Sequence, residues 1–375
     1  MSCSLFLKLI VTFCLGYLLT SSTLRKNVLP VPSTSCRNKD PNGRRLVMLV
    51  FGTRPEAVKM APIIREISRS AMLKSVIVST GQHKQMLGQV LRDFDLQDSL
   101  DYDLALMKPH QTLSELSSRS ISAIEDVVSS VCPDVLLVQG DTTTAYMAAL
   151  VAFYSKIPVG HVEAGLRTRN IYSPFPEEVN RQSISTMATY NFAPTRHAAE
   201  NLKAEGRTEN VYVTGNTVVD ALMFMKNRPL SAKVTGYLAD VEAKAVLKPT
   251  RMVLLTAHRR ENLGMPLVQI FTAVSKLLQN HADLSIIYPI HLNPNILEAA
   301  KAFFGERHLN DIAAGRAIDK RSPHHHLNRF HLVPPVDHSE LLGLTGKCHF
   351  VMTDSGGIQE EAITLGKPVL VLRDT

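Results

Sequence analysis

A doubly wound α/β fold arranged as two Rossmann-like domains is what this 375-residue sequence predicts, and three observations predict it. From Leu46 onward, short apolar runs alternate with longer segments of helical period, as parallel strands alternate with their crossover helices. The strand candidates fall into two series, separated by a weakly patterned stretch near residues 226–248. The polar chemistry is concentrated just after those strands, where open α/β sheets bind their ligands. A hydrophobic fraction of 45% and a charged fraction of 20% suit a globular chain with room for two cores.

Residues 1–45 form a leader. Its stretch "LIVTFCLGYLLTSSTL", Leu9–Leu24, is sixteen uncharged residues followed by Arg25 and Lys26. That is short of the roughly 20 residues that span a bilayer, and close to a signal-peptide core. Residues 5–24 are therefore a candidate membrane anchor or secretory signal, and the Ser/Thr-rich, acid-poor composition also fits a plastid or other organelle transit peptide. The leader holds seven of the 41 Lys and Arg but one of the 34 Asp and Glu, which leaves the body at +1 of the total +7. So small a charge excludes a nucleic-acid face by electrostatics. Three of the five cysteines lie in the leader; Cys132 and Cys348 alone in the body argue against a disulfide framework or a cysteine metal cluster.

The first strand series is Leu46–Phe51, Val76–Ser79, Val135–Gln139, Pro158–Val162, Asn191–Ala193 and Val211–Thr214. The second is Met252–Thr256, Leu284–Tyr288, Phe330–Leu332, Phe350–Thr353 and Val369–Leu372. Domains of residues 46–220 and 221–375 follow, joined near residues 215–225. Within the first, "VFGTRPEAVKMAP" runs a buried strand into Gly52 and a helix with Pro55 at its first position and Ala57, Met60, Ile63, Ile64 and Ile67 at helical spacing. Arg54 then stands at a strand-to-helix turn beside free backbone N–H groups, a place to hold an anion such as phosphate.

Other strand ends carry the rest of the chemistry. "TDSGGIQEEA" ends a strand in Asp354 and Ser355, and two glycines let backbone approach a diphosphate at a helix N-terminus, with Glu360 or Glu361 one turn on to accept ribose hydroxyls. "GDTTT", "HVEAGLR" and "SPFPEEVNR" supply Asp141, Glu163, Glu177 and Glu178. Asp141 alone reads as a helix N-cap, and Glu163 at a buried strand end needs a partner, for which Arg167 and Arg169 are the candidates. Three acids in one cleft with His258 make acid–base chemistry the better joint account. No G-x-G-x-x-G follows the first strand and no G-x-x-x-x-G-K-[ST] occurs, so dinucleotide redox and Walker-type hydrolysis are unsupported. His324, His325 and His326 are read as loop, because adjacent histidines cannot all face one ion from a regular element.

In this order "FGTRPEAVKMAP", "GQHKQML", "GDTTT", "PVGHVEAGLRT", "SPFPEEVNR", "VTGNTVVDAL", "AHRREN", "YPIHLNPN" and "TDSGGIQEEA…LGKPVLVLRDT" resemble the non-hydrolysing UDP-N-acetylglucosamine 2-epimerase family, over about residues 46–375. The resemblance implies a GT-B architecture, two Rossmann-like domains facing a central cleft, and reversible conversion of UDP-N-acetylglucosamine to UDP-N-acetylmannosamine without metal or nicotinamide cofactor. It implies that Asp141, Glu163 and Glu177 are the acid–base set, that His258 assists at the phosphate, and that Arg54, Lys59, Ser355, Gly356, Gly357 and Glu361 grip UDP. A second UDP-N-acetylglucosamine is a candidate activator, held by Gln82, Gln85, Arg259 and His291, although His110 stands where the family often has arginine. A homodimer is the expected assembly. The stretch 310–329 is longer than usual for the family.

A GT-B glycosyltransferase, a hydrolysing epimerase and a non-catalytic UDP-sugar sensor are the competing readings. The chain stops at Thr375 directly after "VLVLRD", where the family continues into a Thr-Glu-Arg-Pro-Glu turn and further helices. The second domain is therefore expected to be C-terminally incomplete and destabilised, with little activity until that tail is restored.

Overall fold

The computed structural model describes residues 40–373 apart from 82–83, 109–110, 260–261, 292, 307–308, 311–321 and 323. Residues 1–39 of the leader, Gln82, His110 and most of the stretch 310–329 lie outside the described residues. Among the described residues no helix is long and apolar enough to cross a membrane. The chain divides into two compact units between Ala221 and Leu222.

The first unit runs β1 (Arg45–Phe51), α1 (Arg54–Ser68), β2 (Leu73–Ser79), α2 (Lys84–Asp93), β3 (Tyr102–Asp103), α3 (Leu113–Val131), β4 (Val135–Gln139), α4 (Thr143–Tyr154), β5 (Val159–Val162), α5 (Glu177–Met187), β6 (Tyr190–Ala193), α6 (Arg196–Ala204) and β7 (Val211–Val213). Helix α7 (Thr217–Lys226) crosses the division. The second unit continues with α8 (Ala232–Lys244), β8 (Arg251–Thr256), α9 (Met265–Asn280), β9 (Leu284–Pro289), α10 (Pro294–Phe304), a short 3-10 turn (His325–Arg329), β10 (Phe330–Val333), α11 (His338–Lys347), β11 (Phe350–Thr353), α12 (Gly356–Thr364) and β12 (Val369–Val371).

Both sheets are parallel. Their strand orders are β3-β2-β1-β4-β5-β6-β7 and β10-β9-β8-β11-β12. Each order reverses once, between β1 and β4 and between β8 and β11, and those reversals are the points where doubly wound sheets open a crevice beyond the strand carboxyl ends. The strands are apolar throughout because helices cover both faces: Val47 to Phe51 of β1 are fully buried. Met48, Val50, Val78, Leu136 and Val138 pack one core with Ala145 and Ala148 of α4. In the second unit Phe271, Tyr288, Phe304 and Phe330 form an aromatic cluster on one face of the sheet.

Some expectations need correction. The stretch 226–248 contains α8, capped by Ser231, whose side chain accepts from Val234 N–H; its buried Val234 and Val241 are seven residues apart, so the apolar stripe is narrow and its pattern weak. His325 belongs to a 3-10 turn rather than a loop, and His326 is buried, its ring nitrogen 2.8 Å from Ser275 Oγ. The fold reaches back to Asp40, whose buried carboxylate accepts the N–H groups of Asn42 and Arg44. Among the described residues Cys132 is disulfide-bonded, where the sequence argued against disulfides in the body, while Cys348 is free and buried.

Gly52 ends β1 where the chain has no room for a side chain. A Cβ there would run into the hydroxyls of Thr80 and Thr144, which meet each other at 3.0 Å across the sheet top. Gly52→Ala is therefore expected to lower stability by about 1–3 kcal/mol, the usual range for overpacking a tight site. Urea unfolding followed by far-UV circular dichroism checks this; an unchanged midpoint would show that the two threonines can separate.

Candidate active site

In the first unit, the polar residues meet at the carboxyl ends of β1, β4 and β5. The turn after β1 is not the open anion site that the sequence suggested. Glu56, on the first turn of α1 and fully buried, points its carboxylate back and accepts the N–H of Gly52 at 3.1 Å and of Thr53 at 2.7 Å. It also accepts the hydroxyl of Thr142 at 2.7 Å, from the turn after β4. Burial pushes the Glu56 carboxyl up and these donors oppose it. Two of the N–H groups expected to bind phosphate are thus occupied by the protein's own carboxylate. Arg54, half-buried, has no ion-pair partner among the described residues, so its guanidinium remains available.

The acids are then distinguished by what holds them. Asp141 does not cap α4; Thr142 does, its hydroxyl accepting from Ala145 N–H. Asp141 instead pairs with Arg181 of α5, and Asn180 donates to its backbone carbonyl at 2.8 Å. Burial raises the Asp141 carboxyl above its ordinary range; Arg181 opposes this, and the charges of Glu163 and Glu177 reinforce it. Glu163 pairs with neither Arg167 nor Arg169. Its Oε2 lies 2.6 Å from Lys59 Nζ and accepts from Asn216 Nδ2 at 3.1 Å. Arg167 is committed to Glu205 and Arg169 to Asn201. Glu163 also has φ 66, a left-handed backbone that a non-glycine residue adopts at a cost of about 1–3 kcal/mol and that gathers at functional sites.

Glu177 and Glu178, adjacent in sequence, have opposite fates. Glu178 is buried and accepts from Thr168 N–H, Arg169 N–H and the Gln182 side chain at 3.0–3.1 Å. Burial alone would raise its carboxyl, but these donors outweigh it and hold it below the ordinary value. Glu178 is a brace for the loop after β5. Glu177 has a buried Oε2 without a hydrogen-bond partner among the described residues, and it borders a cavity of ≈ 400 Å³ with Thr53, Thr142 and Asn180. Beneath them His161, fully buried, donates Nε2–H to Gly140 O at 2.7 Å; burial holds its pKa down at about 4, so it is a neutral prop. A larger cavity of ≈ 1070 Å³, with Thr189 and Asn210 at its walls, lies at the opposite ends of the strands, away from these groups.

In the second unit the chemistry gathers around Asp354, fully buried at the end of β11. Its Oδ2 accepts the N–H of His258 and of Arg259, each at 2.8 Å, and the Asn262 amide at 3.0 Å. The His258 ring stacks on His291 with centroids 5.8 Å apart. Helix α12 starts beside them with Ser355 as an N-cap whose side chain makes no cap bond. At Gly356 and Gly357 an added Cβ would meet no atom of the described residues beyond its own helix turn within 4 Å, in contrast to Gly52. Glu361 is engaged by His338 at 2.8 Å.

The structure thus brings Lys59, Asp141, Glu163 and Glu177 to one switch point and His258, Arg259, His291, Ser355, Gly356 and Gly357 to the other. Gln82 and the side chain of Gln85 lie outside the described residues. The sequence placed Glu56 at a helix start and Asp354 at a strand end but gave neither a role, and it did not single out Arg181 or Asn216. For Arg181 a signal existed: it follows Glu177 by four residues on a helix, which places both on one face.

Two parallel sheets, one with carboxylates at its switch point and one with an open glycine turn, define a GT-B-like enzyme fold of two α/β units. A family model for UDP-N-acetylglucosamine 2-epimerase matches residues 65–375. The chain belongs to that family. It is 44% identical over 330 residues to UDP-N-acetylglucosamine 2-epimerase of Bacillus subtilis, covering 88% of this chain and 79% of that protein. The crystal structure of UDP-GlcNAc 2-epimerase from Neisseria meningitidis bound to UDP-GlcNAc aligns with a TM-score of 0.68 at 42% identity, covering 88% of this chain and 83% of that one. The enzyme of Methanocaldococcus jannaschii aligns with a TM-score of 0.71 at 32% identity, covering 88% and 84%.

Among the described residues nothing requires glycine at position 357. Gly357→Ala is expected to leave stability unchanged or raise it by up to about 1 kcal/mol, as glycine-to-alanine changes in helices do. If the turn receives a nucleotide diphosphate, the same change weakens UDP binding by about tenfold or more, equivalent to about 1.4 kcal/mol. Thermal melting and titration calorimetry on one sample check both signs; unaltered UDP affinity would remove Gly357 from the grip.

Proposed function

We propose that this chain interconverts UDP-N-acetylglucosamine and UDP-N-acetylmannosamine without hydrolysing them, by eliminating UDP across C1–C2 and adding it back. The observation that carries the reading is the set of three carboxylates, Asp141, Glu163 and Glu177, at one switch point, in a chain of this family. A C2 proton beside an acetamido group is barely acidic, so direct abstraction is costly. Elimination lowers that demand: a carboxylate takes the C2 proton, the C1–O electron pair leaves with UDP, and a bound 2-acetamidoglucal remains. Returning a proton to the other face of C2 and UDP to C1 completes the inversion. Two faces need proton-handling groups on both sides, which one acid cannot supply.

In this reading Arg54, Lys59, Ser355, Gly356, Gly357 and Glu361 hold UDP, and His258 acts at its phosphate. Lys59 has a second duty, because it also neutralises Glu163. No metal or nicotinamide is required by the chemistry. A homodimer, and an activator pocket that uses Arg259 and His291, belong to the same proposal. The Neisseria meningitidis structure, which holds UDP-GlcNAc, supports the choice of substrate.

Incubating the protein with UDP-N-acetylglucosamine in deuterated water, with no acceptor, tests the reaction by proton NMR. Deuterium at C2 and appearance of UDP-N-acetylmannosamine are expected. Free N-acetylmannosamine with UDP would indicate the hydrolysing reaction instead, and intact, unexchanged substrate would sink the epimerase reading. Asp141→Asn and Glu163→Gln should each lower kcat by about a hundredfold or more, the scale of a lost acid–base group.

Arg181 sets a pH dependence. Its guanidinium lowers an Asp141 carboxyl that burial raises, so removing it lets the carboxyl rise further. If Asp141 works ionised, Arg181→Gln moves the acidic limb of the kcat profile to higher pH. A limb that stays in place, in a folded variant, would show that Asp141 does not set it.

A further inference from the structure

Glu163 is held by more than its lysine. Asn216 lies in the turn after β7, far along the chain, and its side chain makes two bonds at once. Its Oδ1 accepts Val218 N–H at 3.0 Å, in the first turn of α7, and its Nδ2 donates to Glu163 Oε2 at 3.1 Å. The two bonds are mutually consistent, since a backbone N–H can only donate and so fixes the oxygen end of the amide. The nitrogen end must then face the carboxylate. Lys59 Nζ meets the same oxygen at 2.6 Å. Oε2 is therefore occupied twice, while Oε1 has no partner among the described residues.

We propose that Asn216 is a positioning residue for Glu163. By holding Oε2 alongside Lys59 it fixes the torsion of the carboxylate and leaves Oε1 as the oxygen free to accept a proton. Lysine alone could not do this, because an ammonium on a flexible stem is a point charge with little directional preference, whereas an amide anchored by a backbone N–H is rigid. The need is greater here because Glu163 sits in a left-handed backbone, where the surrounding contacts must over-determine its conformation. The anchor also has a particular location: α7 begins in the first unit and its last residues belong to the second.

The proposal rests on the reading of Glu163 as an acid–base group, and the test separates the two. Asn216→Asp and Asn216→Ser both keep a side-chain acceptor for the helix cap and both remove the amide donor to Glu163. Each is expected to melt like the wild type, to lower kcat by at least about tenfold, and to leave KM within about threefold, since a misplacement near 1 Å can cost a hundredfold in turnover. Wild-type kcat in both folded variants, or a rise in KM with kcat unchanged, overturns it. Independently of turnover, a crystal structure of the Asn216→Ser variant is expected to show the Glu163 carboxylate displaced by about 1 Å from its contact with Lys59. An unmoved carboxylate overturns the positioning role; a displaced carboxylate in a protein whose wild type fails to exchange the C2 proton supports it while the epimerase reading falls.

Discussion

In each sheet one buried carboxylate ties together the two turns that flank the point where strand order reverses. In the first unit Glu56 reaches from α1 to the N–H groups of Gly52 and Thr53 and to the hydroxyl of Thr142 beyond β4. In the second unit Asp354 reaches from the end of β11 to the N–H groups of His258 and Arg259 beyond β8. A parallel sheet covered on both faces can carry polar groups only where its strands end, and there the backbone leaves the ladder with its donors unsatisfied. A carboxylate from inside the unit satisfies several of those donors at once. It thereby fixes the spacing of two turns that no strand pairing controls. Every candidate functional side chain in Arg54, Asp141, His258 and Ser355 hangs from one of those four turns.

This constraint has an electrostatic consequence. Glu56 and Asp354 consume the N–H groups nearest to them, so the positive ends of the local dipoles are partly spent before any ligand arrives. What remains for an anion is different in the two units. The first offers side-chain cations, Arg54 and Lys59, beside carboxylates. The second offers the start of α12, where Ser355 makes no cap bond and two glycines expose backbone. A diphosphate is better matched by the second arrangement, because backbone donors carry no proton to lose and no long side chain to immobilise. Proton transfer is better matched by the first, where like charges and a countercharge act on one buried group.

Much of this was legible in the sequence because it follows from periodicity. Central strands such as Val135–Gln139 and Phe350–Thr353 are short apolar runs with no competing helical pattern, and they occur where they were expected. The two-residue strand Tyr102–Asp103 carries no such signal and was not anticipated. At the site, residue types at strand ends pointed to the right neighbourhoods, but not to the pairings. Arg167 and Arg169 are near Glu163 in sequence, and Lys59 and Asn216 are near it in space; parallel topology brings the first strand's helix beside the fifth strand's end, and no local pattern reports that. Glu56 stands in the sequence beside Arg54 at the start of a helix, where a glutamate is ordinary on the surface, and only the burial of this one makes it a brace.

The pair Glu177 and Glu178 shows what a structure adds beyond placement. Identical side chains in adjacent positions of one helix turn point about 100° apart, so one faces the unit and the other the site. Glu178 finds three donors and is spent on holding the loop after β5. Glu177 finds none among the described residues for its buried oxygen. An unsatisfied buried acceptor costs free energy of about 1–3 kcal/mol, which folding alone gives no reason to retain. That cost is offset only if a donor arrives with a ligand, a hydroxyl or amide N–H from a sugar being suitable. The same reasoning applies to Asp354, whose Oδ1 is also buried and without a hydrogen-bond partner among the described residues, 3.9 Å from the ring nitrogen of His258. Such atoms occur elsewhere among the described residues too, Ser120 Oγ and Asn191 Oδ1 included; what distinguishes Glu177 and Asp354 is that each unsatisfied carboxylate oxygen borders residues through which the proposed reaction would run.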